Sequence, residues 1–122
     1  VTSPDEFPFA FVEGALVIRV KGPLTMQNTN ELRALALAQL AAAPLLRGLV
    51  VDLSGCDYID STGIGAFIVL KMRVKDALRF RLCAPTALVR KIFKTTRFDL
   101  VVPVDASLAD GVGALPLDAV KL

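Results

Sequence analysis

The spacing of apolar positions changes repeatedly along this chain, and each change marks the edge of an element. "FAFVEGALVIRVKG" holds two apolar runs, Phe7 to Val12 and Ala15 to Lys21, parted by Glu13-Gly14, and predicts a β-hairpin. Gly22 and Pro23 end its second strand. In "NTNELRALALAQLAAAP", Leu32, Leu35 and Leu40 form a helical stripe. Asn28 with Glu31 three residues later fits a reciprocally capped start, and Pro44 stops the helix. "GLVVDLSG" is a continuous apolar run between Gly48 and Ser54-Gly55, the pattern of a central strand covered on both faces.

"YIDSTGIGAFIVL" follows, and predicts a helix from Gly63 to about Asp76 whose last turns carry Lys71, Arg73 and Lys75. "RFRLC" alternates Arg79 and Arg81 with Phe80 and Leu82, the period of a strand with one wet face. Pro85 and Thr86 open a further helix with Leu88, Val89, Ile92 and Phe93 on one side. "LVVPV" predicts a last strand, and "SLADGVGALPL" a weak terminal helix in which Gly111 and Gly113 lower the propensity. The order ββαβαβαβα predicts a single α/β domain over residues 1–122. Its sheet is mixed, antiparallel at the N-terminal hairpin, parallel elsewhere, and flanked by helices.

Composition narrows the chemistry. The chain has 122 residues, 54% of them hydrophobic, yet no run approaches the roughly 18 apolar residues of a membrane span. "VTSPDEFPF" carries Asp5 and Glu6 and does not read as a secretory leader, so a cytoplasmic domain is expected. Cys56 and Cys83 fit reduced thiols. The absence of histidine excludes Ser-His-Asp and Cys-His catalysis and histidine-ligated metals. Nine lysines and arginines against one acid between residues 71 and 97 predict a basic band. Solvated faces of helices and a strand explain it first; an acidic partner comes second and, with no aromatics interleaved, nucleic acid last.

The glycines at 63 and 65 lack the lysine of a phosphate-binding loop. Asp60 has no second such motif to make an aspartic-protease pair, and no GxSxG elbow is present. A capped helix start explains much of the motif, with Asp60 or Ser61 as the cap. A hydroxyl that accepts a phosphoryl group from another enzyme explains the rest.

"VVDLSGCDYIDSTGIG", with "VIRVKGPLT" before it and "PTALVRKIF" after it, resembles the STAS domain of anti-sigma factor antagonists and sulfate-transporter tails. The resemblance implies a phosphorylation-switched binding module and not an enzyme, acting in bacterial transcription regulation without a cofactor of its own. Ser61 is then the phosphorylated residue, with Asp60 orienting it. Thr25, Asp60, Ser61, Thr62, Gly63, Ile64 and Gly65 form the surface for an anti-sigma factor serine kinase. The family commonly has an acid where this chain has Thr25. A non-switching scaffold domain of an anion transporter or larger assembly is the alternative.

Overall fold

The computed structural model describes residues 7–122; the expected domain also includes residues 1–6, which lie outside the described residues. Strands β1 (Phe9–Val12) and β2 (Ala15–Lys21) form the hairpin. Glu13 and Gly14 both take positive φ, 49° and 82°, which gives the turn the twist a two-residue hairpin needs. Then follow α1 (Thr29–Ala42), β3 (Gly48–Gly55), α2 (Ser61–Val74), β4 (Phe80–Cys83), α3 (Ala87–Thr96), β5 (Val104–Asp105) and α4 (Leu108–Gly113). The five strands lie in sequence order in one sheet. β1 is antiparallel to β2 and every later pairing is parallel. The predicted order and mixed sheet are those observed.

Alternation along the strands divides the core between two faces. Leu16, Ile18 and Val20 of β2, Leu49, Val51 and Leu53 of β3, and Phe80 and Leu82 of β4 pack against α1, α2 and α3. Ala15, Val17, Val50 and Cys83 point the other way, beneath Val112 and Leu115. β3 is buried from Gly48 to Leu53, as its unbroken apolar run required.

Four details depart from the pattern. Arg79 and Arg81 do not face water. Arg79 ends a 3₁₀ turn, Ala77–Arg79, and is 6% exposed. Its guanidinium donates to the carboxylates of Asp76 and Asp118 and to the carbonyls of Arg47 and Asp118. Arg81 makes a two-pronged pair with Asp105 at 2.7 and 3.0 Å. "LVVPV" supplies only the start of β5: Phe98–Leu100 is a 3₁₀ turn because Phe98 goes inward against Phe67 and Phe93. Leu88 is 50% exposed while Val89 and Phe93 carry the buried stripe of α3. The terminal helix stops at Gly113, and residues 114–122 form a strap. Arg47 donates to the carbonyls of Leu115 and Pro116, and the Lys121 ammonium donates to those of Leu40, Ala41 and Ala43. That lysine supplies the cation that the last turn of α1 lacks.

Candidate functional site

The chain leaves β3 at Gly55 and runs through residues 56–60 beside the loop that follows β2. The Leu24 N–H donates to the Tyr58 carbonyl at 2.8 Å, and the Asp60 N–H donates to the Leu24 carbonyl at 3.1 Å. Leu24 and Ile59 thus form one parallel bridge beyond the sheet, both fully buried. This zipper brings Thr25, far away in sequence, to the start of α2.

Asp60 is the cap, and it does more than end a helix. Its Oδ1 accepts the N–H groups of Thr62 and Gly63 at 2.9 and 3.1 Å and the Thr62 hydroxyl. Its Oδ2 reaches across to accept the Met26 N–H at 3.0 Å. The Thr62 hydroxyl and these backbone donors hold the Asp60 carboxyl below its ordinary pKa. The expectation that Asp60 orients Ser61 does not hold, because the hydroxyl it engages is that of Thr62. Ser61, the first residue of α2, is exposed, and its hydroxyl makes no hydrogen bond among the described residues.

The Thr25 loop is built by its own side chains. The Asn28 Oδ1 accepts the Thr25 N–H and its Nδ2 donates to the Pro23 carbonyl, while the Thr25 carbonyl accepts from Asn28 and Thr29. The predicted reciprocal cap of α1 is therefore absent: Asn28 turns back to the loop instead of forward to the helix. The Thr25 Oγ1 accepts the Gln27 N–H at 3.3 Å, so this hydroxyl is also in structural use.

The two glycines of α2 have different physical reasons. A Cβ on Gly63 would lie 2.7 Å from the Ile59 Cγ2 and 3.1 Å from the Leu24 Cδ2, so this position must be small for the zipper to pack. A Cβ on Gly65 would meet nothing within 4 Å. Gly65 instead floors an open groove of about 400 Å³ between α1 and α2, lined also by Met26, Asn30, Arg33, Thr62 and Val69. Gly65→Ala should raise stability by about 0.5–1 kcal/mol through helix propensity while narrowing the groove. A lower midpoint in thermal denaturation would contradict this account of the position.

Of the predicted site, Thr25, Asp60, Ser61, Thr62, Gly63 and Gly65 meet around this helix start, and Ile64 is half-buried against the core. Met26 and Arg33 were not anticipated; they reach the groove only because the zipper folds their segment over α2. The basic band is not brought here as a unit. Arg79 and Arg81 are consumed by ion pairs, and Lys71 lies about 15 Å further along α2 than Ser61 at 1.5 Å per residue. Nor do the thiols offer a nucleophile. Burial pushes Cys56 up to about 11 and Cys83 up to about 12, so both stay protonated at neutral pH.

A family model for the STAS domain matches residues 7–111. The chain belongs to the STAS domain family. Solved structures agree in fold. An anti-sigma factor antagonist from Mycobacterium paratuberculosis is similar with a TM-score of 0.80 and 22% identity, over 94% of this chain and 98% of that one. The anti-sigma factor antagonist SpoIIAA in its unphosphorylated form is similar with a TM-score of 0.67 and 24% identity, over 87% and 92%. A segment of SLC26A9, 19% of that chain, is similar to 81% of this one with a TM-score of 0.67 and 20% identity. The STAS match ends inside α4, so the strap held by Arg47, Arg79 and Lys121 follows the matched segment. No helix among the described residues is long and apolar enough to cross a membrane.

Proposed function

We propose that this STAS domain is an anti-sigma factor antagonist that sequesters an anti-sigma factor serine kinase while Ser61 is unphosphorylated and releases it once Ser61 carries phosphate. The observation that carries the reading is the division of labour between two adjacent hydroxyls. Thr62 is committed to Asp60, whereas Ser61 is exposed and free at the N-terminus of α2 beside an open groove. A phosphate there would bring about −1.5 to −2 charges. The helix N-terminus tolerates that charge within the fold. A partner seated over Met26 and Val69 would instead meet a hydrated dianion on a largely apolar contact. SpoIIAA, similar in fold, has structures in unphosphorylated and phosphorylated forms.

The chain acts here as a binding module. The Asp60 carboxylate beside Ser61 already accepts several donors, which hold its pKa below the ordinary aspartate value and leave it a poor general base. The kinase supplies ATP and Mg²⁺; this chain supplies the acceptor. Incubation with the cognate kinase and ATP should add one phosphate by intact mass, lost in Ser61→Ala and retained in Thr62→Ala. Ser61→Asp should weaken kinase binding about tenfold or more. A phosphate mapped to Thr62, or none at all, would remove the switch.

The second reading, a scaffold domain serving a transporter or larger assembly, is favoured by Thr25. Its side chain closes its own turn and offers a partner no negative charge. Under that reading the kinase experiment adds nothing to Ser61.

A further inference from the structure

The end of the sheet opposite Ser61 carries a second surface that the switch does not use. Helices α2 and α3 each return from the carboxyl end of one parallel strand to the amino end of the next, so their C-termini lie at the same end of the sheet. Each is followed by a single 3₁₀ turn, Ala77–Arg79 and Phe98–Leu100, and the two turns lead into neighbouring strands. Each turn has one buried residue and one exposed leucine. Arg79 is buried in one and Phe98 in the other, and each anchor leaves a leucine facing outward, Leu78 at 61% and Leu100 at 80% exposure. Val101 follows Leu100 at 43%, with Val102 tucked under it at 1%. These aliphatic tips contribute little to the core.

Basic residues precede both turns along the chain. Lys71, Arg73 and Lys75 end α2, and Lys94 and Arg97 end α3. None of these five forms an ion pair among the described residues. Acids are outnumbered among the described residues at this end: Asp76 and Asp118 share the Arg79 guanidinium, while Asp99 beside Leu100 and Glu13 of the hairpin turn form no ion pair there.

We propose that this end of the domain docks on an anionic lipid bilayer, with Leu78, Leu100 and Val101 entering the headgroup layer and the lysines and arginines meeting acidic headgroups. The arrangement fits a bilayer better than an acidic protein. Exposed aliphatic side chains beside the basic ends of two helices match a plane that is negative at its surface and apolar beneath. The large aromatic anchors that dominate protein interfaces are missing from the patch. Docking in this orientation leaves Ser61 and its groove facing away from the lipid. The surface is independent of whether Ser61 is ever phosphorylated.

Co-sedimentation of the full chain with phosphatidylcholine vesicles, with and without phosphatidylserine, tests it. Binding should require phosphatidylserine and weaken as salt rises. It should fall about tenfold or more in Leu78→Ser combined with Leu100→Ser, and similarly in Lys75→Glu combined with Lys94→Glu, with circular dichroism unchanged. Three results would overturn the assignment: no binding to phosphatidylserine vesicles at low salt, full binding by the leucine variant, or tighter binding of a polyglutamate peptide than of the vesicles. The last would assign the surface to an acidic protein.

Discussion

Replacing Gly48 with alanine should destabilise the domain by about 3 kcal/mol, lowering the thermal midpoint by about 10 °C. The added Cβ would stand 2.5 Å from the Arg79 carbonyl oxygen and 2.5 Å from the Leu115 Cδ2, closer than real side chains approach anything. Leu115 could swing aside at some loss of packing. The Arg79 carbonyl cannot. Its residue is fixed from both directions, by the β3–β4 register that pairs Leu49 with Phe80 and by a guanidinium bound to Asp76, Asp118 and the Arg47 carbonyl. Relief therefore requires the entry of β4 to move away from β3, at the centre of the sheet. Gly65→Ala is the matched control, since its Cβ meets open space. Urea denaturation of both variants checks the argument, and equal midpoints for Gly48→Ala and wild type would sink it.

Gly48 carries no local sign of this constraint. As a sequence position it marked only the edge of an apolar run, because the atoms that forbid a side chain there come from residues 79 and 115. The alternation of "RFRLC" misled for the same reason. Arginine beside phenylalanine resembles a strand with a wet face, but the partners that let these arginines go inward, Asp105 and Asp118, lie 24 and 39 residues away. Local chemistry was legible wherever it was self-contained. The continuous "LVVDL" run becomes the fully covered central strand, and Asp60 caps α2 two and three residues ahead of the amides it accepts. Asn28 shows where local spacing is not enough. Its spacing to Glu31 suits a capping box, yet its side chain is held by Thr25 and Pro23, upstream groups that offered the same kind of hydrogen bond first. The candidate site lies in two strings, "GPLT" and "DSTGIG", and that they touch depends on the Leu24–Ile59 bridge, which no local pattern announces.

Asp60→Ala should cost about 2 kcal/mol at neutral pH, from a lost helix cap and a lost charge-assisted tie to the Met26 amide, discounted for partial exposure. Asp60→Asn separates the two parts. Its carbonyl oxygen can still accept from Thr62 and Gly63, but its amide nitrogen cannot accept from Met26, so it should lose about half as much. The sign of the pH dependence follows from the depressed folded-state pKa. The carboxylate contributes stability above the unfolded aspartate value of about 4 and loses it as the pH falls through the lower folded value. The gap between wild type and Asp60→Ala should thus be widest at neutral pH and close below about pH 4. A gap that persists unchanged in acid would mean that the ionised carboxylate is not what joins the Thr25 loop to α2. Amide exchange supplies the local reading: in Asp60→Asn the Met26 amide should lose protection while those of Thr62 and Gly63 keep theirs. If the proposed kinase contact spans both the loop and the helix start, that variant should also bind the kinase more weakly although Ser61 itself is untouched. Wild-type affinity in a variant whose Met26 amide has become unprotected would place the contact on α2 alone and remove Thr25 from it.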